Sequence, residues 1–274
     1  MADYTHTSAF HTMHVFDTGG MRILRFERNR QSSMCLADPY ETDIEYVGYM
    51  HLTLAVAPHA TRALMIGLGG GSIIKRMWRD YPWLSIDTVE LDPEVVDVAR
   101  TFFALPEDNE RLRVIVGDGR THIERTAETY DIVMIDAFDD DYIPRPLTTE
   151  EFLRAVRGRL SAEGVVAYNV IGALSGPTSR PLRALYRTIA NVWRRVWLFT
   201  VSSLEPDGIS PANIVILASD APLTDEDLLA CIAGRVDGRV SVPGFELFGR
   251  DLYRGGIRLG DVPIITDPQG KRGR

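Results

Sequence analysis

Between residues 13 and 37 apolar and polar positions alternate in short runs. Met13–Thr18, Met21–Glu27 and Ser32–Ala37 each read as a strand, with turns at Gly19-Gly20 and at Arg28–Arg30. From Ile44 to about Val56 the apolar residues recur at helical spacing and stop before Pro58, which predicts a helix. Beyond His59 the pattern changes. Apolar runs at 63–66, 85–90, 112–116, 130–135 and 165–172 predict buried strands. Amphipathic stretches at 73–81, 93–103, 121–127, 148–164 and 180–193 predict the intervening helices. Pro82 stops the first of these, Pro93 sits at a favourable first helical position, Thr148 or Thr149 opens the fourth, and that one closes near Gly164. Two further strands, 196–203 and 213–220, follow with no helix between them.

Strands alternating with helices of this length predict a Rossmann-like α/β domain with a doubly wound, mostly parallel sheet. The last two strands predict an antiparallel hairpin at its edge. The expected organisation is a small β-rich domain with its linking helix over 1–59, and an α/β domain over 60–274.

Composition narrows the class without changing the fold. The chain has 274 residues, 45% of them hydrophobic, which is enough for a sizeable core. Thirty Lys and Arg against 38 Asp and Glu give a net charge of −8, which argues against a dedicated nucleic-acid binder. Cys35 and Cys231 cannot form a disulfide framework, so a reduced setting is expected. The first residues lack the basic and apolar regions of a signal peptide, and no apolar stretch reaches ~18 residues. The expectation is a cytoplasmic protein without membrane contact.

In open α/β sheets ligands bind outside the carboxyl ends of the strands. The first α/β strand runs into Gly67-Leu68-Gly69-Gly70-Gly71-Ser72, where missing Cβ atoms let the backbone turn tightly and approach a nucleotide or nucleoside. The second strand ends at Glu90, an acid able to accept hydrogen bonds from ribose hydroxyls. Asp92, just beyond, reads as the N-cap of the next helix. The third strand ends in Gly117-Asp118-Gly119, whose carboxylate can reach an adenine amino group or simply brace a turn. The fourth ends in Asp136-Ala137-Phe138-Asp139-Asp140-Asp141-Tyr142, four acids whose mutual repulsion costs stability unless a cation or proton is shared there.

The glycine loop, Glu90, Asp118 and Asp136, at four consecutive strand ends, resemble the nucleoside site of the class I S-adenosylmethionine-binding fold. NAD is the rival, but Ser72 stands where the dinucleotide pattern wants Gly or Ala, and NAD leaves the acids at the third and fourth strands without a role. From Met13 to Asp220 the chain further resembles the spermidine synthase (polyamine aminopropyltransferase) family, in its bacterial spermidine-synthase-like branch. The residues that carry the likeness are Arg30-Gln31-Ser32-Ser33-Met34, LMIGLGGGS, TVELDPEVVDVAR, VGDGR and IDAFDDDYIPRPLTTEEF. The resemblance implies that Gln31, Gly67, Gly69, Gly70, Gly71, Glu90, Asp118, Gly119 and Asp136 hold the nucleoside. It implies that Asp136 and Asp139 bind an amine, that Asp136 helps deprotonate it, and that the protein is a homodimer; Tyr142, close by in the same run, is a further candidate to orient the amine. Three departures stand against this: Gly70 replaces the family's loop Asp, the Tyr-His-Glu motif is absent with Glu45 and Tyr46 nearest, and the C-terminal acids are reduced to Asp267.

The leading expectation is alkyl transfer from decarboxylated S-adenosylmethionine to an amine, by direct displacement and without a metal. Methyl transfer from S-adenosylmethionine itself is the alternative, and a non-catalytic nucleoside sensor is a third. His11 and His14 could join His6 around a metal, but residues three apart on a strand point to opposite faces. His51, on an apolar helix, reads as a core histidine, and Tyr186, Trp193, Trp197 and Phe199 read as core.

Overall fold

The computed structural model describes residues 3–138, 142–201 and 210–268. Strands β1 (Asp3–Thr7), β2 (Thr12–Thr18), β3 (Met21–Phe26) and β4 (Asn29–Cys35) form an antiparallel four-stranded sheet in sequential order. The Gly19-Gly20 turn forms between β2 and β3, both glycines having positive φ. The strand β1 has no counterpart in the sequence reading, because its alternating polar residues DYTHT carry no apolar face of their own.

The stretch predicted as one helix over 44–56 is two short ones, α1 (Glu45–Met50) and α2 (Thr53–Val56). The break falls at His51, which is buried and bonds Tyr81 Oη through Nδ1 at 2.6 Å, while the Thr53 hydroxyl donates to the Met50 carbonyl. His51 is thus a core histidine that also interrupts the helix. Burial lowers its pKa to about 3, so the imidazole stays neutral.

The second sheet contains β5 (Arg62–Ile66), β6 (Ser85–Glu90), β7 (Leu112–Val116), β8 (Tyr130–Ile135), β9 (Leu160–Gly172), β10 (Arg195–Val201) and β11 (Ala212–Ser219). Their order is β10-β11-β9-β8-β5-β6-β7. The five strands from β5 to β9 are parallel, and β10 and β11 pair antiparallel at one edge, as the sequence predicts. Helices α3 (Ser72–Asp80), α4 (Pro93–Phe103), α5 (Gly119–Arg125), α6 (Glu150–Arg157) and α7 (Arg180–Val192) follow their strands in turn, and α8 (Asp225–Ala233) lies beyond the sheet.

Alternation along β5 divides the core. Ala63 and Met65 face the layer of α1, α2, α3 and α8, whereas Leu64 and Ile66 face α5, α6 and α7. One boundary differs from expectation: α6 ends at Arg157, and residues 160–164 belong to β9. Here Leu160 pairs with Tyr130, and the Ser161 hydroxyl donates to Asp131 at 2.8 Å, so strand pairing overrides the helical propensity of LSAEG.

The two sheets meet across α4. Val95, Val98 and Phe103 pack on Met13, Val15, Leu24 and Met34 of the first sheet, while Val96 and Ala99 join the core of the second. The buried Lys75 ammonium donates to the carbonyls of Phe103, at the C-terminus of α4, and of Pro39 in the connection after β4. A cation there complements the helix dipole and ties three segments together.

Candidate active site

The chain reverses its winding between β5 and β8, so the crevice at their carboxyl ends is the switch point of the sheet. Gly67 follows β5 and Asp136 follows β8. Gly67 has φ +96°, and a Cβ there would lie 2.2 Å from the Asp136 carbonyl oxygen, so only glycine permits the two strand ends to converge. Above this point lies a cavity of about 180 Å³ whose walls include Gln31, Tyr46, Gly67, Glu90, Asp118 and Asp136.

Most of the predicted nucleoside residues are gathered here. Gln31 projects from β4, Gly67 and Gly69 from the loop after β5, Glu90 from the end of β6, and Asp118 and Gly119 from the end of β7. Glu90 Oε2 accepts the Leu68 N–H at 2.9 Å, and Oε1 accepts the Asp92 N–H at 3.0 Å. Each carboxylate oxygen has a second lone pair, which leaves Glu90 able to accept from a ligand. Burial raises its pKa, with the backbone donors pulling the other way. Asp118 N-caps α5, its side chain accepting the Thr121 N–H at 2.7 Å, and it also borders the cavity.

Gly70 and Gly71 are not on the cavity wall. The Gly70 N–H donates to Ser32 Oγ of β4 at 2.7 Å, and a Cβ at Gly70 would lie 2.9 Å from both Phe103 Cδ1 and Ser32 Cβ. That position is therefore closed by the N-terminal sheet and α4, and the absence of the loop Asp reflects packing. Gly71, with φ +71°, is the N-cap of α3 and packs against Leu105.

Asp136 is enclosed by protein except where it meets the cavity. Its Oδ1 accepts from Asn169 Nδ2 at 2.8 Å and its Oδ2 accepts from the Tyr46 hydroxyl at 3.1 Å. Burial raises its pKa to about 6, opposed by these two donors. Burial, then the Asp136 charge, pushes the Tyr46 phenol well above its ordinary range, so Tyr46 remains a donor.

Asp139, Asp140 and Asp141 lie outside the described residues. Tyr142 is 62% exposed and does not border the cavity. Asp267, at the C-terminal end of the described chain, is engaged by the Arg120 guanidinium through both carboxylate oxygens, at 2.7 and 2.5 Å. His6, His11 and His14 are not gathered: His6 pairs with Glu94, His14 bonds Thr5, and His11 stacks on Phe26 with ring centroids 4.3 Å apart. Among the described residues no group of three or more His, Cys, Asp or Glu could hold a metal ion. No described helix is long and apolar enough to cross a membrane.

Sequence reasoning passed over Asn169 and Ser32. Asn169 had a visible signal, a lone amide in the otherwise apolar run VVAYNVIG at the carboxyl end of a strand. Ser32 had none, because its partner is a backbone N–H 38 residues away.

The spermine/spermidine synthase domain family matches residues 44–170, which include Tyr46, the glycine loop, Glu90, Asp118, Asp136 and Asn169. A polyamine aminopropyltransferase of Vibrio vulnificus is 37% identical over 172 residues, 59% of this chain and 56% of that protein. The chain thus spans little more than half the length of this relative. The fold is that of a probable spermidine synthase from Corynebacterium glutamicum, with TM-score 0.72 and 17% identity over 96% of this chain and 100% of the other. A spermidine synthase solved with the transition-state analogue AdoDATO gives TM-score 0.71 and 16% identity over 92% of this chain and 84% of the other. Residues 44–170 are thus similar to the spermine/spermidine synthase domain family, and the fold is similar to that of the solved spermidine synthases.

Proposed function

We propose that the protein transfers an aminopropyl group from decarboxylated S-adenosylmethionine to a small amine. The observation that carries this reading is the half-buried Asp136 carboxylate, held between the Tyr46 hydroxyl and the Asn169 amide in the cavity that also presents Glu90 and Asp118. Glu90 would take the ribose hydroxyls, Asp118 the adenine amino group, and Gln31 with the glycine-loop backbone the remainder of the nucleoside. These are acceptors and backbone groups suited to an adenosyl moiety, and Gly67 lets the Asp136 backbone come close beside them where a Cβ would collide with it.

An alkylammonium is not a nucleophile until it loses a proton. Asp136, raised to about 6 by burial, accepts that proton at neutral pH, and Tyr46 and Asn169 fix the receiving oxygens. The free amine nitrogen then forms a bond to the aminopropyl carbon attached to sulfur. The carbon–sulfur bond breaks with its electron pair on sulfur, giving methylthioadenosine. Sulfonium is already a good leaving group, so the protein's contribution is positioning and proton removal. Asp139 is assigned to the second amine contact on the family resemblance alone. A cytosolic homodimer is the setting this reading implies.

The test is incubation of the purified protein with decarboxylated S-adenosylmethionine or with S-adenosylmethionine, each with and without a pool of polyamines and small amines. Mass spectrometry of the nucleoside product decides. Methylthioadenosine that forms only with an amine present supports aminopropyl transfer. S-adenosylhomocysteine would make the protein a methyltransferase, and nucleoside binding without turnover would make it a sensor.

A further inference from the structure

The carboxylate proposed as base is held by more than its two direct partners. Asn169 on β9 is 1% exposed, so both ends of its amide need a hydrogen-bond partner. Its Nδ2 donates to Asp136 Oδ1 at 2.8 Å, and its Oδ1 accepts from Asn213 Nδ2 at 2.9 Å. Asn213 lies on β11, which runs antiparallel to β9 with Val215 opposite Asn169. Residue 213 is two positions from that pair, so both amides project from the same sheet face as diagonal neighbours. The interval from Val165 to Ser219 on these paired strands is otherwise largely apolar, and nothing in β-sheet packing calls for an amide at 213.

We infer that Asn213 is a positioning residue, which acts through Asn169 to keep a hydrogen-bond donor directed at Asp136. Asn213 has this role if Asp136 is the base proposed above, and it has it because an amide is two-ended. An isolated buried asparagine can present either its NH₂ or its oxygen to a neighbour. With its oxygen occupied by Asn213 Nδ2, Asn169 can offer Asp136 only its NH₂. An NH₂ favours the ionised, proton-accepting carboxylate, whereas an oxygen facing it would favour the protonated, inactive acid. Asn213 touches neither Asp136 nor the described cavity wall, so it sets the state of the base without meeting a substrate. The other titratable groups on the same cavity are His11, Tyr46, Glu90 and Asp118, none of which bonds either amide.

Two variants of the full chain test this. Asn213→Asp is nearly isosteric but sets an acceptor against Asn169 Oδ1, which forces the amide to turn over. Asn213→Ala merely removes the donor. The acid limb of the kcat/KM–pH profile should move up by about one pH unit in Asn213→Asp and by about half a unit in Asn213→Ala. Above pH 8 both should recover to within about threefold of the parent. The ¹³C chemical shift of the Asp136 carboxyl, titrated without substrate, should move in step.

A merely structural asparagine would lower activity evenly at all pH values and leave both limb and carboxyl titration in place. That result in Asn213→Ala, with a melting temperature near the parent's, overturns the inference even if Asn213→Asp fails to fold. Failure of the base reading looks different: the parent would then show no acid limb attributable to Asp136. The carboxyl titration, which needs no turnover, would still report whether Asn213 acts on it.

Discussion

The hydroxyl of Tyr46 lies 3.1 Å from Asp136 Oδ2, although ninety residues separate them in the chain. Tyr46 belongs to the short helix that links the two sheets, and Asp136 ends the central strand β8. The contact therefore joins the connecting segment to the floor of the cavity, at the atom that would receive the amine proton. Tyr46→Phe keeps the ring and deletes the donor. Turnover should fall by about 10- to 100-fold. The acid limb of the pH profile should rise, since a hydrogen bond to the ionised form is lost. Nucleoside affinity measured by calorimetry should change by less than about threefold. A variant with parental turnover would remove Tyr46 from the chemistry.

Asp136 also has a cost that can be measured without substrate. Its folded-state pKa of about 6 lies above the unfolded value of 3.8, so the folded protein binds its proton more tightly. The contribution of this group to stability is full below about pH 4 and is lost as the pH rises through 6. At pH 7.5 a half-buried carboxylate remains that the fold would prefer neutral. Asp136→Asn retains an acceptor for Asn169 and offers Tyr46 an NH₂ in place of an oxygen. It should unfold at higher denaturant concentration than the parent at pH 7.5, by about 1–3 kcal/mol. The difference should vanish near pH 4. Equal stability at both pH values would mean that burial does not strain this carboxylate.

Gly70 offers a third test, in which a plausible repair should fail. Placing Asp there supplies the residue type common in spermidine synthases, yet its Cβ would meet Phe103 and Ser32 at 2.9 Å. Gly70→Asp should destabilise the protein by about 1–3 kcal/mol through overpacking. It should also disturb the hydrogen bond from the Gly70 N–H to Ser32. Thermal unfolding and aminopropyl transfer, measured together, should both decline. A stable and more active Gly70→Asp protein would show that the N-terminal sheet yields at this position.

The parallel sheet, its edge hairpin, the glycine loop and the three acidic strand ends were all legible in the sequence, because buried strands bounded by glycine turns announce themselves locally. Residues 150–164 misled: Glu, Leu and Arg at helical spacing continue past Gly158, and only pairing with Tyr130 makes 160–164 a strand. The helix over 44–56 misled in the same way, since at its break His51 bonds Tyr81, thirty residues on. At the site, the acids at strand ends were visible but their link to the groups that orient them was not. Tyr46 and Asn169 reach Asp136 from α1 and β9, and no spacing rule connects those segments. Gly70 was read as a ligand contact, although its neighbours Ser32 and Phe103 come from β4 and α4, which a linear reading keeps apart.

The packing of α4 between the two sheets bears on how the chain comes into being. Met13, Val15, Leu24 and Met34 present one apolar face, and the residues that cover it, Val95, Val98 and Phe103, are encoded about sixty positions later. Synthesis at roughly 5–20 residues per second leaves that face bare for about 3–12 s after the strands that bear it have been made. During this interval the nascent hairpins have an oily side with nothing to set against it, which is the kind of surface chaperones hold. The newborn sheet thus waits on the second helix of the α/β domain, and the two are finished together.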